Sequence, residues 1–181
     1  MSRIGNLAIA LPKGVEATVK GSEVTVKGPK GTLTQSFNPE MKITADKASI
    51  KVQRPSDERG HKAVHGLTRA LIANMVTGAS QGYTKSLELV GVGYRVQPSG
   101  KGVSLSLMYS HTVDVQPVAG VTLEVEGTTK VHVKGIDRQV VGQLAAKIRG
   151  VKPPNAYTGK GIRYVGEQVR LKPGKSARRA A

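Results

Sequence analysis

Apolar and polar residues alternate through Glu16 to Lys20, Glu23 to Lys27, Thr32 to Phe37, Met41 to Ala45 and Ser49 to Arg54. A period of two puts every second side chain on one face of an extended chain, so these runs predict strands. Gly21-Ser22 and Gly28-Pro29-Lys30-Gly31 punctuate them as turns. The period then lengthens. Val64, Leu67, Leu71, Ile72 and Met75 recur at three- and four-residue steps, which predicts a helix capped by Ser56 or Asp57 and ended by Gly78.

The scheme repeats in the second half. Strands are predicted at Ser86 to Gln97, Val103 to Tyr109, Thr112 to Val115, Val121 to Glu126 and Lys130 to Lys134. A helix capped by Asp137 follows, with Val140, Val141, Leu144 and Ile148 on one face and a stop at Gly150. The two helices align with Gly66 on Gly142 and Ile72 on Ile148. Each strands-then-helix unit spans roughly 75 to 80 residues, enough for a small domain with its own core. The polar, glycine-bearing stretch Gly78-Ala79-Ser80-Gln81-Gly82 is the natural joint. The expected fold class is α+β, with two similar small domains at residues 1–81 and 82–171 and a basic C-terminal extension at 172–181. Each domain is expected to be an antiparallel sheet packed against one helix.

Charge changes the picture next, because it is concentrated. The 181 residues carry a formal net charge of +16, and from Lys147 to Ala181 ten Lys and Arg stand against one acid, Glu167, which places +9 in this last segment. A cationic segment set among Gly and Pro attracts a polyanion, and each phosphate it neutralises releases a condensed counterion, so nucleic acid is the leading partner. With 38% apolar residues the body of the chain has the means to bury cores. No Cys is present, which removes disulfide frameworks and thiolate metal cages and fits a reducing cytosol. No apolar run approaches the ~20 residues that span a bilayer, and no secretory h-region is recognisable, so neither membrane insertion nor secretion is indicated. An anionic membrane surface would also attract the basic end, but the tail has no large apolar face to insert.

After the second helix the chain departs from the repeat. Val151-Lys152-Pro153-Pro154 forbids helix, since proline lacks a backbone donor and disfavours helical geometry in the residue before it. An extended loop follows through Asn155, Ala156, Tyr157 and Thr158 into Gly159-Lys160-Gly161, then a short strand from Ile162 to Val165. Glycines on both sides of Lys160 let a backbone approach a phosphate closely, Lys160 and Arg163 supply charge, and Tyr157 offers a ring or a hydroxyl. The same residues also read as a solvated turn whose charges keep the protein soluble.

The stretch Pro154-Asn155-Ala156-Tyr157-Thr158-Gly159-Lys160-Gly161-Ile162 resembles the signature of the bacterial large-subunit ribosomal protein six family: a proline, a polar residue, a variable one, Tyr-Lys-Gly-Lys-Gly and an aliphatic residue. Thr158 departs from it where the family has lysine, so that contact is not carried over. Supporting matches are Ser2-Arg3-Ile4-Gly5, Pro12-Lys13-Gly14-Val15, Gly28-Pro29-Lys30-Gly31, Leu89-Val90-Gly91-Val92-Gly93-Tyr94-Arg95, and Ile136-Asp137 through Arg149, in the family's order and over essentially the whole chain. The resemblance implies a structural constituent of the large ribosomal subunit, in the cytoplasm. It would bind and stabilise folded large-subunit (23S) rRNA near the stalk base, mainly through the second domain and the C-terminal extension. Neighbouring ribosomal proteins and translational GTPases would lie close by, with no cofactor, metal, membrane or small-molecule substrate. It makes Lys152, Tyr157, Gly159, Lys160, Gly161 and Arg163 the first RNA-binding set, with Arg170, Lys172, Lys175, Arg178 and Arg179 as a flexible arm that orders on RNA. Lys85, Arg95 and Lys101 are secondary candidates.

Composition also speaks to the kind of nucleic acid. Single-strand readers need exposed aromatics, yet this chain has one Phe, five Tyr and no Trp, which makes base stacking a minor term. Long basic side chains and glycine-rich loops suit phosphate and 2'-hydroxyl contacts on folded, mostly helical RNA. Charge alone leaves double-stranded DNA and a free-standing RNA chaperone or DNA-compacting role open, but no helix offers a cluster of base-reading side chains.

Catalytic readings find little support. His61 and His65 have the spacing of two helical metal ligands, but no Glu follows the first and no third ligand is near, so surface histidines are the simpler reading. His111 and His132 sit in strand-like segments, with Ser110 and Asp114 adjacent only in sequence. Gly159-Lys160 is followed by Gly161 instead of Ser or Thr, and Pro154 stands where a phosphate-binding NTPase loop needs glycine. Gly91-Val92-Gly93 lacks the third glycine and the helix of a dinucleotide fingerprint, and is expected to mark a bulge or close packing within a strand.

Overall fold

The strand runs of the first half fold close to their expected bounds. A computed structural model describes residues 4–46 and 48–175. It comprises two units, Met1–Tyr83 with Ile136–Arg138, and Thr84–Gly135 with Gln139–Ala181. The first unit holds β1 (Ile9–Ala10), β2 (Glu16–Lys20), β3 (Glu23–Gly28), β4 (Gly31–Ser36), β5 (Lys42–Ala45), β6 (Ser49–Gln53) and α1 (Arg59–Ser80). These strands form two antiparallel three-stranded sheets, β2-β3-β4 and β1-β6-β5, where one sheet was expected. The split falls after Phe37, where the Asn38 side chain accepts the Glu40 N–H at 2.9 Å across Pro39, a residue with no ladder donor. Two-residue β1 carries no periodic signal and was not expected.

Alternation places Val24, Val26, Ile50 and Val52 inward, and α1 meets them with Ile72, Met75, Val76 and Ala79. The buried arc of α1 is rotated from the expected one. Leu67 is 58% exposed, while His65 and Thr68 are buried. His65 is no surface histidine: Arg54 donates to its Nδ1 at 3.0 Å, and its Nε2 donates to the Val52 carbonyl at 2.9 Å. Because a guanidinium is only a donor, this geometry fixes the ring as the neutral Nε2–H tautomer. The expected helix cap is also displaced. Glu58 occupies the capping position without a side-chain cap; the Ser56 hydroxyl accepts the Glu58 N–H at 3.3 Å. Asp57 instead binds Arg54 at 2.6 Å, and that arginine holds its carboxyl below the usual range. Gly78 lies within α1, and the stop comes later, with the Gly82 N–H on the Thr77 and Gly78 carbonyls.

The second unit continues with β7 (Tyr83–Val90), β8 (Arg95–Ser99), β9 (Gly102–Ser106), β10 (Val113–Val115), β11 (Val121–Glu126), β12 (Lys130–Gly135), α2 (Arg138–Val151) and β13 (Gly161–Tyr164). Again there are two antiparallel sheets, β10-β9-β8 and β11-β12-β7-β13. The single strand expected from Ser86 to Gln97 breaks at Gly91 to Tyr94, so β7 and β8 join different sheets. Val141, Leu144, Ala145 and Ile148 form the buried stripe of α2, and Leu87, Leu89, Val131, Val133 and Ile162 are the buried strand positions. The aligned pair Ile72 and Ile148 are both fully buried. Among the described residues no helix is long and apolar enough to cross a membrane.

Candidate nucleic-acid interface

The prolines that end α2 lead into a loop closed by its own backbone. Asn155 N–H donates to the Lys160 carbonyl at 2.9 Å, Gly159 N–H to the Asn155 carbonyl at 2.8 Å, and Ile162 N–H to the Lys152 carbonyl at 2.8 Å. The Asn155 side-chain oxygen accepts the N–H groups of Tyr157 at 2.7 Å and Thr158 at 3.3 Å, the turn that asparagine favours. Gly161 is buried with φ +148°, and a Cβ there would stand 2.7 Å from the Pro153 carbonyl oxygen. Its close approach is therefore to the chain's own Pro153-Pro154 backbone. That answers the expectation that it lies open to a phosphate: the second glycine shapes the loop from beneath.

The segment beyond β13 returns to this loop. Lys172 N–H donates to the Ala156 carbonyl at 2.7 Å, and the Leu171 side chain packs beside Gly159. Tyr157, Lys160, Arg170 and Lys172 thus ride on one backbone-stapled projection, with Tyr157 62% exposed and the three cations exposed. The return is anchored at Glu167. Its carboxylate accepts two bonds from Arg149 of α2, at 2.6 and 3.1 Å, and the Tyr164 N–H at 2.9 Å. The Arg149 bond and then the Tyr164 N–H hold the Glu167 carboxyl below its usual range, and Glu167 in turn raises Arg149.

The basic residues sort into two groups. Arg163 is ion-paired to Glu88 across the β13–β7 ladder, and the Lys152 ammonium donates to the Leu107 carbonyl at 2.9 Å while lying 4.0 Å from the Tyr109 ring centroid. These two expected contact residues are tied into the scaffold. Lys160, Arg170, Lys172 and Lys175 are exposed, and among the described residues their side chains have no partner. Lys85 lies 5.8 Å from the Tyr164 ring, Arg95 is exposed at the start of β8, and Lys101 is exposed in the turn between β8 and β9. Arg178 and Arg179 lie outside the described residues.

Other sequence candidates are not brought together. His132 binds Ser86 at 2.8 Å and Glu126 at 3.0 Å, while His111 lies in the loop between β9 and β10. Among the described residues no three or more His, Asp or Glu side chains cluster as a metal site would require. Two residues that build the loop, Asn155 and Glu167, stand in the sequence without an assigned role. The signals were a Pro-Asn dipeptide and a lone acid in a basic stretch, which is where a carboxylate has an arginine to hold.

The ribosomal protein L6 family model matches the chain twice, over residues 11–82 and 90–165. The chain is 54% identical to large ribosomal subunit protein uL6 of Caldicellulosiruptor saccharolyticus over 178 residues, covering 98% of each. It is 54% identical over 178 residues to the protein of that name from Halalkalibacterium halodurans, covering 98% of this chain and all of the relative. The Thermus thermophilus uL6 is 52% identical over 176 residues, covering 97% of this chain and 98% of the relative. The twofold match coincides with the repeated plan of sheets and a helix, and the chain belongs to the ribosomal protein L6 family.

Proposed function

We propose that this protein is a non-enzymatic structural constituent of the cytoplasmic large ribosomal subunit that clasps folded 23S rRNA through the projection at residues 153–161 and the segment that returns to it. The observation that carries the reading is the set of exposed cations Lys160, Arg170, Lys172 and Lys175, unpartnered among the described residues, on or beside a backbone-stapled loop. Unpaired cations on a preformed loop meet phosphates without first breaking an internal ion pair, and counterion release supplies the driving force. In this reading Arg163 and Lys152 position the loop, Gly159 and Gly161 shape it, and Tyr157 contacts sugar or base. Arg178 and Arg179, outside the described residues, add further cations for phosphate.

In this reading the docking lies near the stalk base, where translational GTPases bind, with other ribosomal proteins as neighbours; the family resemblance supports that proposal. Domains at residues 1–81 and 82–171 and a basic tail at 172–181 remain the proposed division of labour, the second domain carrying most of the rRNA contact. Sedimentation of cell extract tests the assignment. Co-migration with the large subunit through a moderate salt wash is expected, and release into the soluble or nucleoid fraction would argue for a free-standing nucleic-acid-binding protein. Footprinting of the bound rRNA then tests the surface: the protected nucleotides should lose protection when Lys160 and Lys172 are replaced by Gln.

A further inference from the structure

The turn between β9 and β10 carries features that the loop and tail do not account for. Met108 is the one non-glycine residue with positive φ, +58°, among the described residues, and it is 69% exposed. A side chain held in that conformation costs energy and persists only where its surroundings enforce it. The Met108 side chain lies against the Gly91-Val92-Gly93 break. A Cβ at Gly93 (φ +79°) would meet the Met108 sulfur at 2.8 Å, and one at Gly91 would meet the Tyr94 ring at 2.6 Å. The two glycines leave room for Met108 and Tyr94, which is the close packing that the strand break serves.

What this packing presents is a linked series of rings. The Lys152 ammonium lies 5.6 Å from the Tyr94 centroid and 4.0 Å from that of Tyr109. Tyr109 is fixed by its hydroxyl, which donates to the Val151 carbonyl at 3.1 Å. His111 stacks on Tyr109, centroids 5.8 Å apart and planes within 11° of parallel, within the range for offset ring pairs. Tyr109 is 44% exposed and His111 is exposed, so the series ends at solvent. Lys152 also joins it to the projection, because its carbonyl accepts the Ile162 N–H at the foot of the loop.

We propose that the Tyr109–His111 stack is a binding site for a single unpaired nucleobase of the bound RNA, which continues the series on the outer face of His111. The proposal rests on the rRNA-binding reading and adds a second kind of contact to it. A flat, prefixed aromatic face backed by a cation suits a base, since every base has a π-face and stacking needs no hydrogen-bond code. The scarcity of aromatics in the composition made stacking a minor term for the whole chain, and the fold gathers Tyr94, Tyr109 and His111 into one place.

The test measures binding of the full chain to a large-subunit rRNA transcript over a range of salt. His111→Ala should weaken binding roughly 5- to 150-fold at fixed salt, the loss expected for one stacked base. It should leave the slope of log affinity against log salt unchanged, because no phosphate contact is removed. His111→Phe should restore most of the affinity, and thermal unfolding should match wild type in both variants. Wild-type affinity in His111→Ala overturns the proposal, as does rescue by His111→Lys equal to that by Phe, or a flattened salt slope. If the wild-type chain itself fails to bind the transcript, the rRNA-binding reading falls and takes the stacking site with it; salt-dependent wild-type binding with a silent His111→Ala isolates the failure to the stacking site.

Discussion

The outer face of the β11-β12-β7-β13 sheet and the projection beside it carry comparable numbers of cations, yet they deploy them in opposite ways. On the sheet, Lys130 and His132 lie 3.6 and 3.0 Å from Glu126, Lys134 pairs with Glu124, and Arg163 with Glu88. His132, then Lys130, holds the Glu126 carboxyl below its usual range. On the projection and its continuation, Lys160, Arg170, Lys172 and Lys175 face no carboxylate among the described residues. A count of basic residues therefore overstates what a phosphate can use. A cation already satisfied by an acid gains little from exchanging one anion for another, whereas a lone cation brings its full charge to the encounter.

Reversing the unpaired group should break this contrast most completely. Replacing Lys160, Arg170, Lys172 and Lys175 together by Glu should lower affinity for large-subunit rRNA by more than about a hundredfold, since each site turns attraction into repulsion. Circular dichroism should show the fold intact, because among the described residues none of these side chains has a partner to lose.

A smaller effect separates the loop's shape from its charge. Gly161→Ala keeps every cation but forces a Cβ against the Pro153-Pro154 backbone at φ +148°. Strain of this kind costs about 2 to 4 kcal/mol, and urea denaturation should register it. RNA affinity should fall with it although net charge is unchanged. Retained stability would show that the loop deforms freely, contrary to the account.

The smallest expected change sharpens how the return segment is held. Arg149→Ala removes two bonds to Glu167, with side chains 34% and 25% exposed, and should cost about 1 kcal/mol after solvent screening. Because the folded Glu167 carboxyl titrates below its unfolded value, the contribution is complete above the unfolded value of about 4.3 and is lost as pH falls through the folded one. The stability gap between wild type and Arg149→Ala should therefore be widest near neutrality and close on acidification. A gap independent of pH would remove Glu167 from the anchor.

Much of the fold was legible because alternation is a local property. β2 and β11 occupy their expected bounds, and β3, β4, β5, β6 and β12 differ from theirs by a residue at one or both ends. The second helix shows its expected stripe at Val141, Leu144 and Ile148. What escaped the sequence depended on partners distant along the chain. His65 is buried because Val52 and Arg54 satisfy both ring nitrogens, thirteen and eleven positions away. That pairing turns the buried arc of α1 away from Leu67. Arg163 reads as a free cation until strand pairing sets it opposite Glu88, 75 residues earlier. The motif at residues 154–162 located the loop, but its internal wiring through Asn155, and the return of Lys172 to Ala156, belong to the third dimension.

The contrast between satisfied and lone cations can be measured with net charge held constant. Two variants each lose three positive charges, one by Lys160, Arg170 and Lys172→Gln, the other by Lys130, Lys134 and Arg163→Gln, and the salt dependence of their affinity for large-subunit rRNA is compared with wild type. The account predicts that the first variant flattens the slope by about two to three units, at roughly 0.7 to 0.9 per phosphate, while the second stays near the wild-type slope. Equal flattening in both, or a steeper loss in the second, would contradict it.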